Sequence, residues 1–463
     1  MNISVAQYAQ MIVAAIGGIA FFLVLFRLPE KRSLAFLIIL IPFQVIYTRY
    51  GSLNEILIYV AAGTYLLQGR LSRLPFLGPI LLVLFVYLLA FTQSYPAARI
   101  YHVIYMIGFF SNILLFYMVY NYILRTGDWR LIVKCLLFVN LLVVGYCAIQ
   151  FFAGSNRVTF FGINEFSLIP PRKDGRLVGP FNATAATAEY LTFQCLFIAC
   201  LLYYRQKSKF RWAAIALITL NFLFLIATGN RGGFVTLVLA TLLFLLAYRR
   251  ELGMARVVKL LTAGATLFTA MAIVLVSFTE YGMLFERLEG TEIEEGVPDT
   301  RSLVWPLAWA EIVKKPILGH GPKLAISTRF EQVGSIEYVR FPHNLLLHIL
   351  YTTGIVGVFA WVVFFSTLAM RLFKVRRAPV DDRELATLPR VGLLVLVVFF
   401  VSQLRIEFLR ESLLDYQNYL FVLFGFFLAT SDLIVAQVTQ PLASRGFGKS
   451  RKPDSDQQIR SPA

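Results

Sequence analysis

The chain has 463 residues, of which 58% are hydrophobic and 15% charged, with a mean hydropathy of +0.70. That balance excludes an ordinary soluble domain, in which about a quarter of residues are charged. The net charge of +17 would suit a nucleic-acid binder, but in a chain this apolar, Lys and Arg are expected to collect in cytoplasmic loops and set orientation.

Apolar runs recur along the sequence, many near the roughly 20 residues a helix needs to cross about 30 Å of hydrocarbon. The first, 8–26, follows an uncharged start and lacks the basic n-region of a signal peptide, so it is read as a retained helix. Further spans are expected at 34–48, 53–67, 76–94, 102–124, 131–153, 183–204, 212–228, 233–248 and 258–279, then at 344–370, 391–408 and 416–433. The fold class is therefore an all-α integral membrane protein of about 12–13 transmembrane helices with a large, partly helical outer (periplasmic) loop. Its expected parts are N-terminal transmembrane helices over 1–153, an outer loop over 154–182, and transmembrane helices over 183–280. The large outer loop over 281–343, C-terminal helices over 344–435 and a disordered cytoplasmic tail over 436–463 complete it. Cys135, Cys147, Cys195 and Cys200 all fall inside apolar runs, which argues against a disulfide framework or a zinc site.

Charge tests this map independently. With the N-terminus outside, alternate loops hold Arg27, Lys31 and Arg32; Arg70 and Arg73; Arg125 and Arg130; Arg205, Lys207, Lys209 and Arg211. The later ones hold Arg249, Arg250, Arg256 and Lys259, then Arg371, Lys374, Arg376, Arg377, Arg383 and Arg390. The short loops on the other side hold Arg49, Arg99, Arg231, Arg405 and Arg410. The asymmetry places the C-terminus in the cytoplasm of a cell whose inner membrane the chain crosses many times.

Two long outer segments, 154–182 and 281–343, exceed what a connection needs. The first is basic, with Arg157, Arg172, Lys173 and Arg176, and ends in Gly179-Pro-Phe-Asn182. The second opens acidic, from Glu286 to Asp299, and turns to Arg301-Ser-Leu-Val-Trp305-Pro-Leu-Ala-Trp309, where spacing by four puts Arg301, Trp305 and Trp309 on one helical face. It continues through Gly319-His-Gly321-Pro and ends in Pro342-His343-Asn344 at the mouth of the next span. A third outer element, Thr228-Gly-Asn-Arg231-Gly-Gly233, is a tight turn whose glycines admit close approach of a ligand. Arginine's planar fork suits phosphate oxygens, although an interfacial Arg also snorkels to lipid headgroups. Trp305 and Trp309 read as interfacial anchors, the acidic run as a solvated surface, and His102 and His348 as structural. His343 is the general-base candidate, because free imidazole titrates near neutrality; His320 is open. Asp454-Ser-Asp456 is similar to the aspartate pair of metal-dependent sugar transferases but sits in the low-complexity tail.

The string Arg301-x-x-x-Trp305, Glu311, Pro316-x-x-Gly319-x-Gly321-Pro322, Pro342-His343-Asn344, Leu347 and Gly354-x-x-Gly357 resembles the outer loop of the O-antigen ligase superfamily of ligases and exopolysaccharide polymerases. Arg176-Leu-Val-Gly179-Pro-Phe181-Asn and the Arg231 turn fit it too. The resemblance implies transfer of a glycan from a polyprenyl-pyrophosphate-linked oligosaccharide donor to an acceptor hydroxyl, on a glycan or lipid-linked acceptor, at the outer face of the cytoplasmic membrane. It implies metal-independent, inverting chemistry with no cofactor. Arg231, Arg301 and Arg176 would hold the pyrophosphate and His343 would activate the hydroxyl. Membrane lipids, a flippase and a chain-length regulator are candidate partners, and nucleic acid is not. The family's ligases have twelve spans and both termini in the cytoplasm, one span fewer than counted here. The motifs do not separate ligase from polymerase. The rival class is a transporter or flippase of lipid-linked oligosaccharide, which would favour internal repeats and ionisable groups at the membrane midplane; no repeat is found.

Overall fold

The computed structural model describes residues 27–42, 47–48, 51–153, 176–181, 183–204, 208–278, 293–294, 297–298, 301–322, 342–410 and 413–439. In chain order the helices are α1 (Glu30–Leu40), α2 (Leu53–Leu67), α3 (Leu77–Phe91), α4 (Arg99–Thr126), α5 (Trp129–Ala153), α6 (Thr184–Tyr204) and α7 (Ser208–Ala227). Then come α8 (Arg231–Leu252), α9 (Met254–Phe278), α10 (Arg301–Lys314), α11 (Leu345–Val375), α12 (Arg383–Ser402) and α13 (Leu414–Thr439). The β-structure among the described residues is two antiparallel ladders of two residues a side, Tyr47–Thr48 with Gly51–Ser52 and Ile293–Glu294 with Val297–Pro298.

The chain is an all-α, multi-pass membrane protein. Eight described helices are long and apolar enough to cross a bilayer, namely α4 to α8 and α11 to α13. Shorter apolar helices at Asn54–Leu67, Leu77–Phe91 and Val257–Thr266 fall on three further expected spans. The expected span 8–26, most of the loop 154–182 with Arg157, Arg172 and Lys173, the acidic run around Glu286 and the tail with Asp454 and Asp456 lie outside the described residues. Two boundaries are corrected. The run expected at 34–48 is helical only over Glu30–Leu40, and Tyr47–Thr48 near its expected end pair with Gly51–Ser52 as a short ladder. The run expected at 391–408 is helical from Arg383 to Ser402, because Asp382 caps it by accepting from the Glu384 and Leu385 amides. At its other end the Leu404 and Arg405 amides turn back to the Val401 and Ser402 carbonyls, so residues 403–410 form a connector, a shift that hydropathy does not register.

α13 is the hub. Every residue from Asp415 to Ser431 is buried, so it carries no apolar stripe but is apolar on all sides, as a helix surrounded by others must be. It packs lengthwise on α4, and Gly425 lets the Phe116 carbonyl approach so closely that a Cβ there would sit 2.7 Å from it. Phe364, Phe365, Phe399, Phe421 and Phe424 fill the space between α11, α12 and α13 with edge-on and tilted rings. Polar side chains in this core pair with each other: Asn112 donates to Gln417 at 3.2 Å, and Gln194 to the Tyr419 hydroxyl at 3.0 Å.

Because the helices alternate in direction, the two ends of the bundle differ. One end carries ion pairs: Arg125–Glu30, Lys31–Asp128 at 3.4 Å, Arg130–Asp382 at 2.7 Å and Arg371–Asp432 at 2.9 Å. The start of α8, the start of α11 and the connector 403–410 gather at the opposite end, where the candidate site lies.

The longest helix, α11, is broken at Gly354, whose backbone (φ 66°, ψ −164°) is not helical. The break strands the carbonyls of Tyr351 and Thr352 and the amides of Ile355 and Val356. The segment after α10 supplies all four partners. His320 and Gly321 amides donate to the Tyr351 and Thr352 carbonyls at 2.8 and 3.0 Å, while the Ile355 and Val356 amides donate to Pro316 and Ile317 carbonyls at 2.9 and 3.4 Å. A segment from outside α11 thus replaces part of the helix's own ladder. Gly319 (φ 67°) and Gly354 are both required for the approach: a Cβ on Gly319 would stand 2.5 Å from the Thr352 carbonyl, and one on Gly354 would collide with the Ile317 carbonyl. Gly354→Ala should therefore destabilise the protein by about 2–4 kcal/mol. Gly63→Ala in α2, where a Cβ meets nothing within 4 Å, should be neutral or slightly stabilising. SDS titration of the detergent-solubilised variants checks the pair, and equal midpoints would contradict the account.

Candidate active site

α10 is fixed to α11 in three ways. Val304, Ala308 and Ile312, spaced by four, are buried, and Ala308 and Ile312 cluster with Tyr351, Leu347 and Leu350 of α11. The exchange at Gly354 holds its C-terminal end. At its other end Trp305 Nε1 donates to the Pro342 carbonyl at 2.8 Å. Trp305 is therefore a strut to the residue before His343, a different role from the interfacial anchor expected of it, whereas Trp309 on the same helix is exposed. Arg301 opens α10, one turn before Trp305.

His343 sits between that strut and the start of α11. Asn344 caps the helix, its side chain accepting from the Leu346 and Leu347 amides at 2.9 and 3.2 Å. The backbone at His343 takes the left-handed conformation (φ 49°), uncommon for a residue with a bulky side chain and held here by the cap on one side and the Trp305 bond on the other. Its side chain is 44% exposed, and Nδ1 lies 3.8 Å from Oε2 of Glu407, a carboxylate only 1% exposed. The imidazole is thus presented at the surface of the bundle end with a buried acid behind it.

The arginine turn is built on α8. Asn230 caps that helix by accepting from the Gly233 amide at 2.8 Å, which places Arg231, half-buried, at its first position. A helix start favours anions through its dipole and amides. Arg176 lies alongside: its Cδ is so close to Gly229 (φ 60°) that a Cβ there would stand 2.9 Å away, and the adjacent Leu177 amide donates to the Ala227 carbonyl at 3.1 Å. Gly179 donates to Gln150 at 2.9 Å, and Thr187 donates to the Val178 carbonyl at 2.6 Å, so α5 and α6 hold this segment too.

The connector between α12 and α13 joins the two halves. Arg405 donates from Nη1 to Asn230 Oδ1 at 2.6 Å and from Nη2 to Thr236 at 3.1 Å, lying over Gly232 where any Cβ would collide with it. Two residues earlier, the Gln403 carbonyl accepts from the Leu345 amide at 2.9 Å. Fully buried Glu189 of α6 accepts from Ser402 and, at 3.0 Å, from Gln403. Arg176, the Arg231 turn, Arg405, Glu407 and His343 are consequently one contiguous assembly. Neither Arg405 nor Glu407 was singled out by residue-level reading as part of the site. The available signal was the pair of opposite charges closing an otherwise apolar run, since charges at membrane depth are costly and tend to be functional.

The remaining histidines are structural. His102 and His348 are buried inside α4 and α11. His320 stacks on Tyr351 with centroids 4.6 Å apart, and its Nε2 donates to the Glu311 carbonyl at 2.8 Å. Burial lowers the His320 pKa, opposed by that hydrogen bond. The folded state therefore holds the ring neutral more firmly than the unfolded chain does. Its contribution to stability is complete above the ordinary value near 6.5 and is lost as pH falls below it. SDS-unfolding midpoints measured at pH 7.5 and 5.5 should drop more in the unaltered protein than in His320→Gln.

The fold and this polar, cation-rich end define a multi-pass helical membrane protein with a site at one end of its bundle. Residues 216–362 match the family described as O-antigen ligase. The matched stretch contains Arg231, Arg301 and His343, while Arg176 and the connector fall outside it. No curated protein matches the chain.

Proposed function

We propose that this protein is a membrane glycosyltransferase of the ligase or polymerase type. It moves a glycan from a polyprenyl-pyrophosphate carrier to an acceptor hydroxyl at the outer face of the cytoplasmic membrane. The observation that carries the reading is the contiguity of the Arg231 helix start and the exposed His343 at one end of the bundle, within a domain of a glycan-assembling family.

In this reading Arg231, Arg301 and Arg176 bind the pyrophosphate, Arg231 with the help of the α8 dipole. They stabilise the charge that grows on the leaving group. His343 accepts the proton of the acceptor hydroxyl. The hydroxyl oxygen bonds to the anomeric carbon as its bond to the pyrophosphate breaks, which inverts that centre. Polyprenyl pyrophosphate leaves, and the imidazolium returns its proton to solvent. No step calls on a metal. The basic opposite end of the bundle supports placing the site outside and the C-terminus in the cytoplasm.

Purified protein reconstituted with a polyprenyl-pyrophosphate-linked oligosaccharide tests the reading. His343→Ala should cut turnover by about 10²–10⁴-fold while donor binding persists, and EDTA should have no effect. Arg231→Ala and Arg301→Ala should abolish transfer at normal expression, and Lys should rescue each only partly, because a point charge cannot reproduce a bidentate fork. Unchanged turnover in His343→Ala, or carrier crossing the bilayer without transfer, would overturn it. Cysteine labelling should reach position 310 from outside and position 379 from inside; labelling of both from one face would overturn the orientation.

A further inference from the structure

Glu407 has no assigned role, and its place in the fold is unusual. It is a carboxylate buried at the end of a membrane bundle, carried on a connector that is braced on both flanks. On one flank the connector is held through Arg405 to the Asn230 turn, and on the other through the Gln403 carbonyl to the start of α11. The Phe408 amide donates to Gln403 Oε1 at 2.8 Å and the Arg410 amide to the Glu407 carbonyl at 3.3 Å, so the backbone that carries Glu407 is closed into a compact turn. His343 is constrained independently, by the Asn344 cap and the Trp305 strut. The connector and the start of α11, joined by the Leu345–Gln403 bond, thus bring Oε2 and Nδ1 to 3.8 Å.

We propose that Glu407 is the positioning residue of His343, holding the imidazole in the tautomer that bears its proton on Nδ1 and leaves Nε2 bare to accept the proton of the acceptor hydroxyl. Burying a carboxylate is costly unless a partner compensates it, and an imidazole oriented by a carboxylate on its other nitrogen is a stronger and better-aimed base. Charged and titratable groups borne by the surrounding elements include Arg405 and Arg410 on the connector, Glu189 on α6, Arg231 on α8 and His348 on α11. Arg405 is turned to Asn230 and Thr236, and Glu189 to Ser402 and Gln403. Among the described residues, the carboxylate found beside the His343 ring is that of Glu407.

The inference rests on the reading of His343 as the base, so its test has a readout that does not depend on turnover. The chain has four histidines, and ¹⁵N-histidine labelling of the full-length protein in nanodiscs, with His343→Ala for assignment, reports the tautomer and titration midpoint of His343. In Glu407→Gln, which keeps size and hydrogen-bonding capacity, the Nδ1–H preference should weaken. The midpoint should fall by about one pH unit, because the imidazolium has lost its counter-charge. Transfer should fall about 10–100-fold, with the acid limb of its pH profile moved to lower pH, and Glu407→Asp should restore part of it. An unchanged His343 tautomer and midpoint in Glu407→Gln would overturn the inference. A shifted midpoint together with full turnover in His343→Ala would keep the pairing but remove its catalytic purpose, and so would overturn the His343 reading instead.

Discussion

A backbone amide or carbonyl inside a helical bundle has no water to turn to, and α11 interrupts its own ladder at Gly354 in the midst of buried residues. Four stranded groups there would cost several kcal/mol if left unmet. The segment 316–321 meets all of them, two donors against two carbonyls and two carbonyls against two amides. The position of α10 follows from that exchange, since the segment that repairs α11 leads directly out of its C-terminal end. Trp305 then reaches the Pro342 carbonyl, and the residue beside it, His343, takes a left-handed conformation between that bond and the Asn344 cap.

A second set of constraints converges on the same end from the other half of the chain. The 403–410 connector is too short and too polar to be membrane helix. It works as a bracket, with Arg405 gripping the α8 cap and Gln403 gripping the α11 start. Arg405 is directed at Asn230 and Thr236, and Glu407 lies beside His343. The glycines around it follow the same logic: Gly229 and Gly232 are bare where Arg176 and Arg405 lie across the backbone. The stems of Arg176 and Arg405 are thereby packed against the backbone of the Asn230 turn.

The division of labour between the two ends follows from antiparallel packing. The ion-paired, strongly basic end contains three arginines paired with Glu30, Asp382 and Asp432 and a lysine paired with Asp128, which suits anchoring and orientation. The site end pairs arginine with amide and hydroxyl oxygens at Asn230 and Thr236.

Much of this was legible in the amino-acid order itself. Hydropathy determined that the chain is helical and membrane-bound, because about twenty apolar residues in a row have one stable arrangement in lipid. Charge bias marked the two sides, and the residue types at Arg231, Arg301 and His343 were enough to suggest anion binding and proton transfer, because those properties belong to the side chain wherever it sits. The tertiary structure alone decided what depends on contacts between distant segments. It ended α12 at Ser402, through a cap and a turn that hydropathy averages away, and so released Arg405 and Glu407 into the site. It turned Trp305 from a surface anchor into a strut, assigned His320 to a stacked and buried place beside Tyr351, and gave Gly319 and Gly354 their purpose as two sides of one hydrogen-bond exchange. The last three rest on partners tens of residues away, and no local window of sequence holds the information on which backbone will arrive to satisfy a stranded amide.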